Sequence, residues 1–148
     1  IKVGLSEFYT QKYGNNVVCY VNEPFIFEKA KHENTTRSYA GVRYAIGEHK
    51  DSPLVLVCGN APTFIYAAIK GLQEEQIDMR RVSLLLFPVG FVNVIESKMY
   101  AERFCEYSGC EAIIMRGRFG SSTMAVATIH ALYKGICDYD MTEKYNGK

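Results

Sequence analysis

From residue 53 onward the chain repeats one unit three times: an unbroken apolar run, a glycine-bearing turn, then an amphipathic stretch of helical length. The runs are PLVLVC (53–58), RVSLLLF (81–87) and EAIIM (111–115), and the turns are GNAPT, PVGFVN and RGRFGSS. Short apolar runs without polar alternation mark strands buried on both faces, and an intervening helix makes neighbouring strands parallel. The rhythm predicts βαβ units in a three-layer α/β/α domain, with a mostly parallel sheet and Rossmann-like connections. Helices are expected through about Leu72, from Val94 to Tyr107, and from the serines after RGRFG through about Lys134.

The first third is less regular. Val3, Leu5, Phe8, Tyr9 and Tyr13 fit a short helix over 3–13, stopped by Gly14. The β-branched run NVVCYV (Asn16 to Val21) predicts a buried strand, and residues 22–33 a loop. A helix is expected from Thr36 to about Gly47, capped by Thr35 or Thr36. The polar tail from Cys137 is expected to fray. With no linker or internal boundary, all 148 residues form a single α/β domain.

Composition narrows the function. A formal net charge of +1 gives no global field to attract nucleic acid or an anionic membrane. No apolar run nears the ~20 residues that span a bilayer. The five cysteines form no CxxC pair, and Cys105/Cys110 lack zinc-knuckle spacing, so reduced thiols in a cytoplasmic protein are expected. The Asn34-Thr35-Thr36 sequon is then coincidental.

Strand-to-helix turns of a parallel sheet all emerge at its carboxyl edge, where ligands bind. The three glycine turns should therefore lie side by side. In GNAPT, Gly59 turns the backbone, Asn60 can cap, Pro62 suits a first helical turn and Thr63 offers a hydroxyl beside free amides. Capping without a ligand uses the same residues, so that turn alone decides nothing. PVGFVN carries no charge; Gly90 allows close backbone approach, and Glu96, Ser97 and Lys98 follow on the helix. RGRFGSS is neither a dinucleotide fingerprint nor a Walker A loop. It places Arg116 and Arg118 beside a helix opened by Ser121 and Ser122, which suits a carboxylate or phosphate. Arg37 and Ser38, opening the earlier helix, add to this edge if the strand at 16–21 joins the sheet.

Catalytic motifs are scarce. His49 reads as solvent-facing, His130 as a partly buried helix residue, and His32 as lying in a charged loop near Arg37. There is no GxSxG elbow and no metal-binding histidine pair, so no metal site is expected. The residues by themselves describe an anion-binding α/β domain.

In that order, GNAPT, PVGFVNVIESK and RGRFGSSTMAVATIHAL resemble the precorrin-8X methylmutase family of cobalamin biosynthesis, and NTTRSYAGV resembles its TRSA-containing helix start. The likeness runs from about Asn34 to Lys134, with a weaker echo at Val17 to Val21. It implies an isomerase that moves a methyl group between neighbouring ring carbons of a corrinoid by a sigmatropic shift. The substrate would be a carboxylate-edged tetrapyrrole, precorrin-8X or its cobalt form. The resemblance implies no metal or organic cofactor, because the rearrangement is internal to the substrate, and it implies a homodimer. Carried over by position, the substrate-binding residues are Arg37, Ser38, Asn60, Thr63, Gly90, Lys98, Arg116, Arg118, Ser121 and Ser122.

Three departures accompany the likeness. Ser121 stands where glycine is usual, and His130 where asparagine is usual. The family's acid, a histidine in an N-terminal helical region, is matched by none of the three histidines, which implies a family segment preceding residue 1. The alternative is a methylmutase-like protein that binds a corrinoid without catalysis; a further one is an unrelated enzyme acting on a phosphorylated metabolite.

Overall fold

The computed structural model describes residues 1–146. Its centre is a parallel sheet of β1 (Leu54–Cys58), β2 (Val82–Leu86) and β3 (Glu111–Ile114), in the order β1-β2-β3. The register pairs Leu56 with Leu84 and Leu84 with Ala112, so side chains of alternate parity line opposite faces. Helices α4 (Pro62–Glu74) and α5 (Val94–Ser108) are the crossovers. They join α3 (Arg37–Glu48) on one face, where Val42, Ile46, Ile65, Ile69, Leu72 and Phe104 close over Leu56, Leu84 and Leu86. The α/β class and the three strand–turn–helix repeats, which make two βαβ units, are as the apolar runs predict.

The opposite face is covered by α6 (Ser122–Asn146). Ala125, with Met124 and Ile129 beside it, packs on Leu85 and Phe87, and Ile1 completes the cluster. Cover on this side is partial: Val55 is 61% exposed and Ile113 42% exposed, so the expected burial of every strand on both faces holds only in the middle of the sheet.

The N-terminal third departs from expectation. Instead of one helix over 3–13 there is a 3-10 turn at Lys2–Gly4 and a separate α1 (Glu7–Lys12), with Gly14 at φ +64° after it. Residues 16–21 form no strand; their β-branched side chains fit one, but no backbone lies alongside to complete a ladder. They pass alongside α3, where a Cβ on Gly41 would lie in ordinary contact with the Val21 backbone, 3.6 Å from its nitrogen. The expected loop over 22–33 contains α2 (Pro24–His32), with proline in its first turn and Ile26 and Ala30 buried against Ala40 of α3. Lys29, Glu33 and the other charges that looked like a loop form its solvated side.

The tail does not fray at Cys137. Helix α6 continues to Asn146, because residues 1–15 lie along it: Tyr9 and Tyr13 both stack on Tyr133, at 5.2 and 5.7 Å between ring centroids, and the Tyr133 hydroxyl donates to Asn15 at 2.7 Å. Gly147 and Lys148 lie outside the described residues.

Candidate functional site

The carboxyl ends of the strands are drawn together by contacts that need the turn sequences as they stand. Phe87 N–H donates to the Cys58 carbonyl at 2.7 Å and Val89 N–H to the Asn60 carbonyl at 3.2 Å, tying the first two turns. A Cβ on Gly120 would lie 2.2 Å from the Phe87 carbonyl oxygen and 2.5 Å from that of Pro88, so the third turn crosses the second at backbone contact. A Cβ on Gly59 would meet Ser122 at 2.6 Å, which brings the first turn against the third. Only glycine permits either approach.

Helix N-termini gather at the same edge. Thr36 caps α3 by accepting the Tyr39 N–H at 3.1 Å, and its hydroxyl lies 3.1 Å from that of Thr63 in the first turn of α4. Arg37 and Ser38 therefore reach this edge through α3, although the segment at 16–21 is outside the sheet. Ser121 caps α6, its hydroxyl accepting the Met124 N–H at 3.0 Å. Asn60 does not cap α4; Ala61 holds the N-cap position without a side-chain bond, and Asn60 is exposed. The start of α5 is shaped by Asn93 in the left-handed region at φ 56°, after Gly90 at φ 136°. Each such terminus presents free amides and the positive end of a helix dipole.

The cations divide by role. Lys98 is 2% exposed; its ammonium donates to the carbonyls of Gly117 at 2.8 Å and Phe119 at 2.7 Å, and burial holds it below the ordinary ammonium value. It fastens the RGRFG turn to α5. Arg116 turns back along α5 to Glu102 at 2.9 Å, with its side chain in solvent. Arg118 lies over the Phe91 ring at 5.9 Å, and among the described residues no carboxylate pairs with it. Arg37 stacks on Phe27 of α2 at 4.3 Å. Both arginines are thereby steadied on aromatic faces without losing charge. At the end of β1 Cys58 is buried, its thiol pushed up to about 12 by burial.

Apolar surface borders the edge: Phe91, Val92 and Phe119 are 86%, 77% and 79% exposed. Two surface hollows lie elsewhere. One, of about 450 Å³, lies among Lys29, Tyr39, Arg43 and Lys70; another, of about 420 Å³, sits at the far ends of α4 and α5. We place the site at the edge because the free cations, the helix termini and the close backbone approaches coincide there and not in either hollow.

No histidine stands among these turns. His130 Nε2 accepts the Ser6 N–H at 3.0 Å, as befits a satisfied helix histidine. His49, expected in solvent, is half-buried with Nε2 3.1 Å from the Tyr20 hydroxyl. His32 ends α2, in the approach to α3. Among the described residues no three His, Cys, Asp or Glu side chains are grouped to hold a metal. Sequence reasoning missed the fastening role of Lys98 and the aromatic supports Phe27 and Phe91, since spacing along a chain does not report what lies across a turn.

Fold and site together describe an α/β domain in which the carboxyl edge of a parallel sheet gathers helix N-termini, arginines held on aromatic rings and exposed apolar side chains. The family model for precorrin-8X methylmutase matches residues 1–135, further toward the N-terminus than the motifs alone carry the likeness. The cobalt-precorrin-8 methylmutase of Leptospira interrogans is 31% identical over 131 residues, covering 87% of this chain and 59% of the relative. That of Methanocaldococcus jannaschii is 35% identical over 130 residues, covering 88% and 56%. The solved precorrin-8X methylmutase from Thermus thermophilus superposes with a TM-score of 0.73 at 30% identity, covering 93% of this chain and 63% of that one. The chain belongs to the precorrin-8X methylmutase family. It spans between 55% and 59% of the length of the first three curated relatives it matches.

Proposed function

We propose that the protein is an isomerase of cobalamin biosynthesis, moving a methyl group between neighbouring ring carbons of a precorrin-8X-type corrinoid. The observation that carries this reading is the stitched edge: three turns in backbone contact, with Arg37 and Arg118 steadied beside helix N-termini in a chain of this family. Peripheral carboxylates of the macrocycle would meet Arg37, Arg118, Ser38, Thr63, Ser122 and the exposed Asn60, and its apolar face would lie on Phe91, Val92 and Phe119. Gly90 keeps the second turn low enough for that approach. Lys98 and Ser121 contribute by shaping the third turn, and Arg116 contributes at the rim once released from Glu102.

A sigmatropic shift makes and breaks bonds within the substrate, so the protein's work is to orient the ring and place one proton on it. General acid catalysis contributes ~10²–10⁴-fold. Of the histidines in this chain, His32 is the candidate acid, because it ends α2 in the approach to the edge. The exposed apolar run Phe91, Val92, Ile95, Met99 and Tyr100 supports a homodimer with the pocket near the subunit interface. The five free thiols support a cytoplasmic setting.

The test is an absorption titration with precorrin-8X and with its cobalt form, followed over time. Appearance of the rearranged chromophore supports the isomerase, and its loss in His32→Asn with binding kept supports that acid. Binding without conversion overturns the catalytic reading, and no binding overturns the site.

A further inference from the structure

Away from this edge, the beginning and the end of the chain bring an amine onto a thiol. Lys12, the last residue of α1, places Nζ 3.2 Å from Sγ of Cys137 on α6. The Tyr13 hydroxyl lies 3.0 Å from the same sulfur and also reaches Asp140 at 3.2 Å. Lys12 sits over the Tyr13 ring at 5.0 Å. The stacked Tyr9, Tyr13 and Tyr133 rings set the spacing of the two helices and so the approach of nitrogen to sulfur.

The bond from Tyr13, then that from Lys12, hold the Cys137 thiol below its ordinary value, against burial and the charge of Asp140. The thiols packed against the sheet behave oppositely. Cys58 and Cys110 are pushed up to about 12 and Cys105 is raised, each chiefly by burial. Cys19 is exposed. Thiolate beside a cation is the state that reacts with peroxides and alkylating agents.

We propose that Lys12 and Cys137 form a modification site, at which a hydroperoxide oxidises the sulfur and the lysine amine captures it as an S–N link between α1 and α6. The thiolate attacks one peroxide oxygen and the O–O bond breaks, giving a sulfenic acid and hydroxide. That hydroxide takes a proton from the Lys12 ammonium and becomes water. The freed amine attacks sulfur; the S–N bond forms, the S–O bond breaks, and the departing hydroxide leaves as water with the proton shed by nitrogen. Sulfur gives up two electrons, and hydrogen peroxide is reduced to two waters. A thiol reductant cleaves the link and restores both side chains.

Two measurements decide it. On the untreated protein at neutral pH, limiting iodoacetamide followed by peptide mapping should label Cys137 at least about threefold faster than Cys19, although Cys19 is the more exposed. After hydrogen peroxide, the Lys12 and Cys137 peptides should be joined, with a mass lower by two hydrogens and recovery in dithiothreitol. Lys12→Met should instead leave a sulfenic acid that dimedone traps, and Cys137→Ser should show neither product. The proposal is overturned if Cys19 is alkylated first, or if dimedone labels Cys137 in the oxidised unmodified sequence as heavily as in Lys12→Met.

Discussion

The ammonium of Lys98 donates to the Gly117 carbonyl at 2.8 Å and the Phe119 carbonyl at 2.7 Å, joining the buried side of α5 to the turn that carries Arg118. Lys98→Met keeps the aliphatic stem and removes the charge. Two opposing terms follow: relief of a desolvated ammonium, and loss of two charge-assisted bonds worth about 1.5–3 kcal/mol each. Gly117 and Phe119 are exposed, so their carbonyls can turn to water. We therefore expect a modest loss of stability, about 1–2 kcal/mol, and a large loss of local order. Hydrogen exchange should accelerate at residues 116–121 while β2 stays protected. Unchanged exchange in that turn would refute the fastening role.

The sheet and its three helices were legible because their signal is local: PLVLVC, RVSLLLF and EAIIM each announce a strand within a few residues of the element found. Residues 16–21 misled because a strand needs a neighbour as well as β-branched side chains, and here none lies alongside. Helix α2 was hidden by the charges on its solvated side, since only Ile26 and Ala30 are buried. The edge was legible in composition but not in geometry. Arg116 and Arg118 look equivalent in RGR, yet one turns to Glu102 and the other to Phe91, a difference fixed by residues far away in sequence.

That difference gives an order of effects. Arg116 is paired in solvent, where an ion pair contributes little to stability, whereas Arg118 has no carboxylate partner among the described residues. In the corrinoid titration, Arg118→Ala should weaken binding more than Arg116→Ala, by about tenfold against about threefold, with both variants folding normally. Equal losses would mean that Arg116 leaves Glu102 on binding; a larger loss for Arg116→Ala would reverse the assignment.

Gly120 and Gly135 make a matched pair. An added Cβ at Gly120 would lie 2.2 Å from a backbone carbonyl oxygen, which cannot move without shifting β2. At Gly135, within α6, it would meet nothing within 4 Å. Gly120→Ala should destabilise by several kcal/mol, on the order of 3, or fail to fold. Gly135→Ala should gain about 0.5–1 kcal/mol from helix propensity. Denaturant midpoints for the two variants check both signs.

Alkali should act through the buried thiols. Cys58 and Cys110 ionise at about 12 in the fold against 9.0 ordinarily, both chiefly through burial. Their raised values mean that the folded state keeps protons the unfolded chain releases, so their stabilising contribution is whole below pH 9 and is lost as pH climbs toward 12. The slope is about 1.4 kcal/mol per pH unit for each thiol. Urea midpoints between pH 8 and 10.5 should fall steeply, and Cys58→Ala, though less stable at pH 8, should fall less steeply. Parallel slopes would show that Cys58 is ionised in the fold as readily as in water.

His130 supplies the last prediction, at a position where the family resemblance led to an asparagine. Its Nε2 accepts the Ser6 N–H at 3.0 Å, and Tyr9 packs beside it at 6.1 Å. The contact holds the entry to α1, whose main support is α6. His130→Ala leaves the Ser6 amide without its acceptor and removes the ring that Tyr9 leans on, at a cost of about 1–2 kcal/mol. Because the core of α3, α4 and α5 contains none of these residues, the loss should be regional. Exchange should quicken and trypsin should cut at Lys2 and Lys12, while amides of β1 and β2 keep their protection. Uniform loss of protection would instead mean that residues 1–15 and the sheet unfold as one unit.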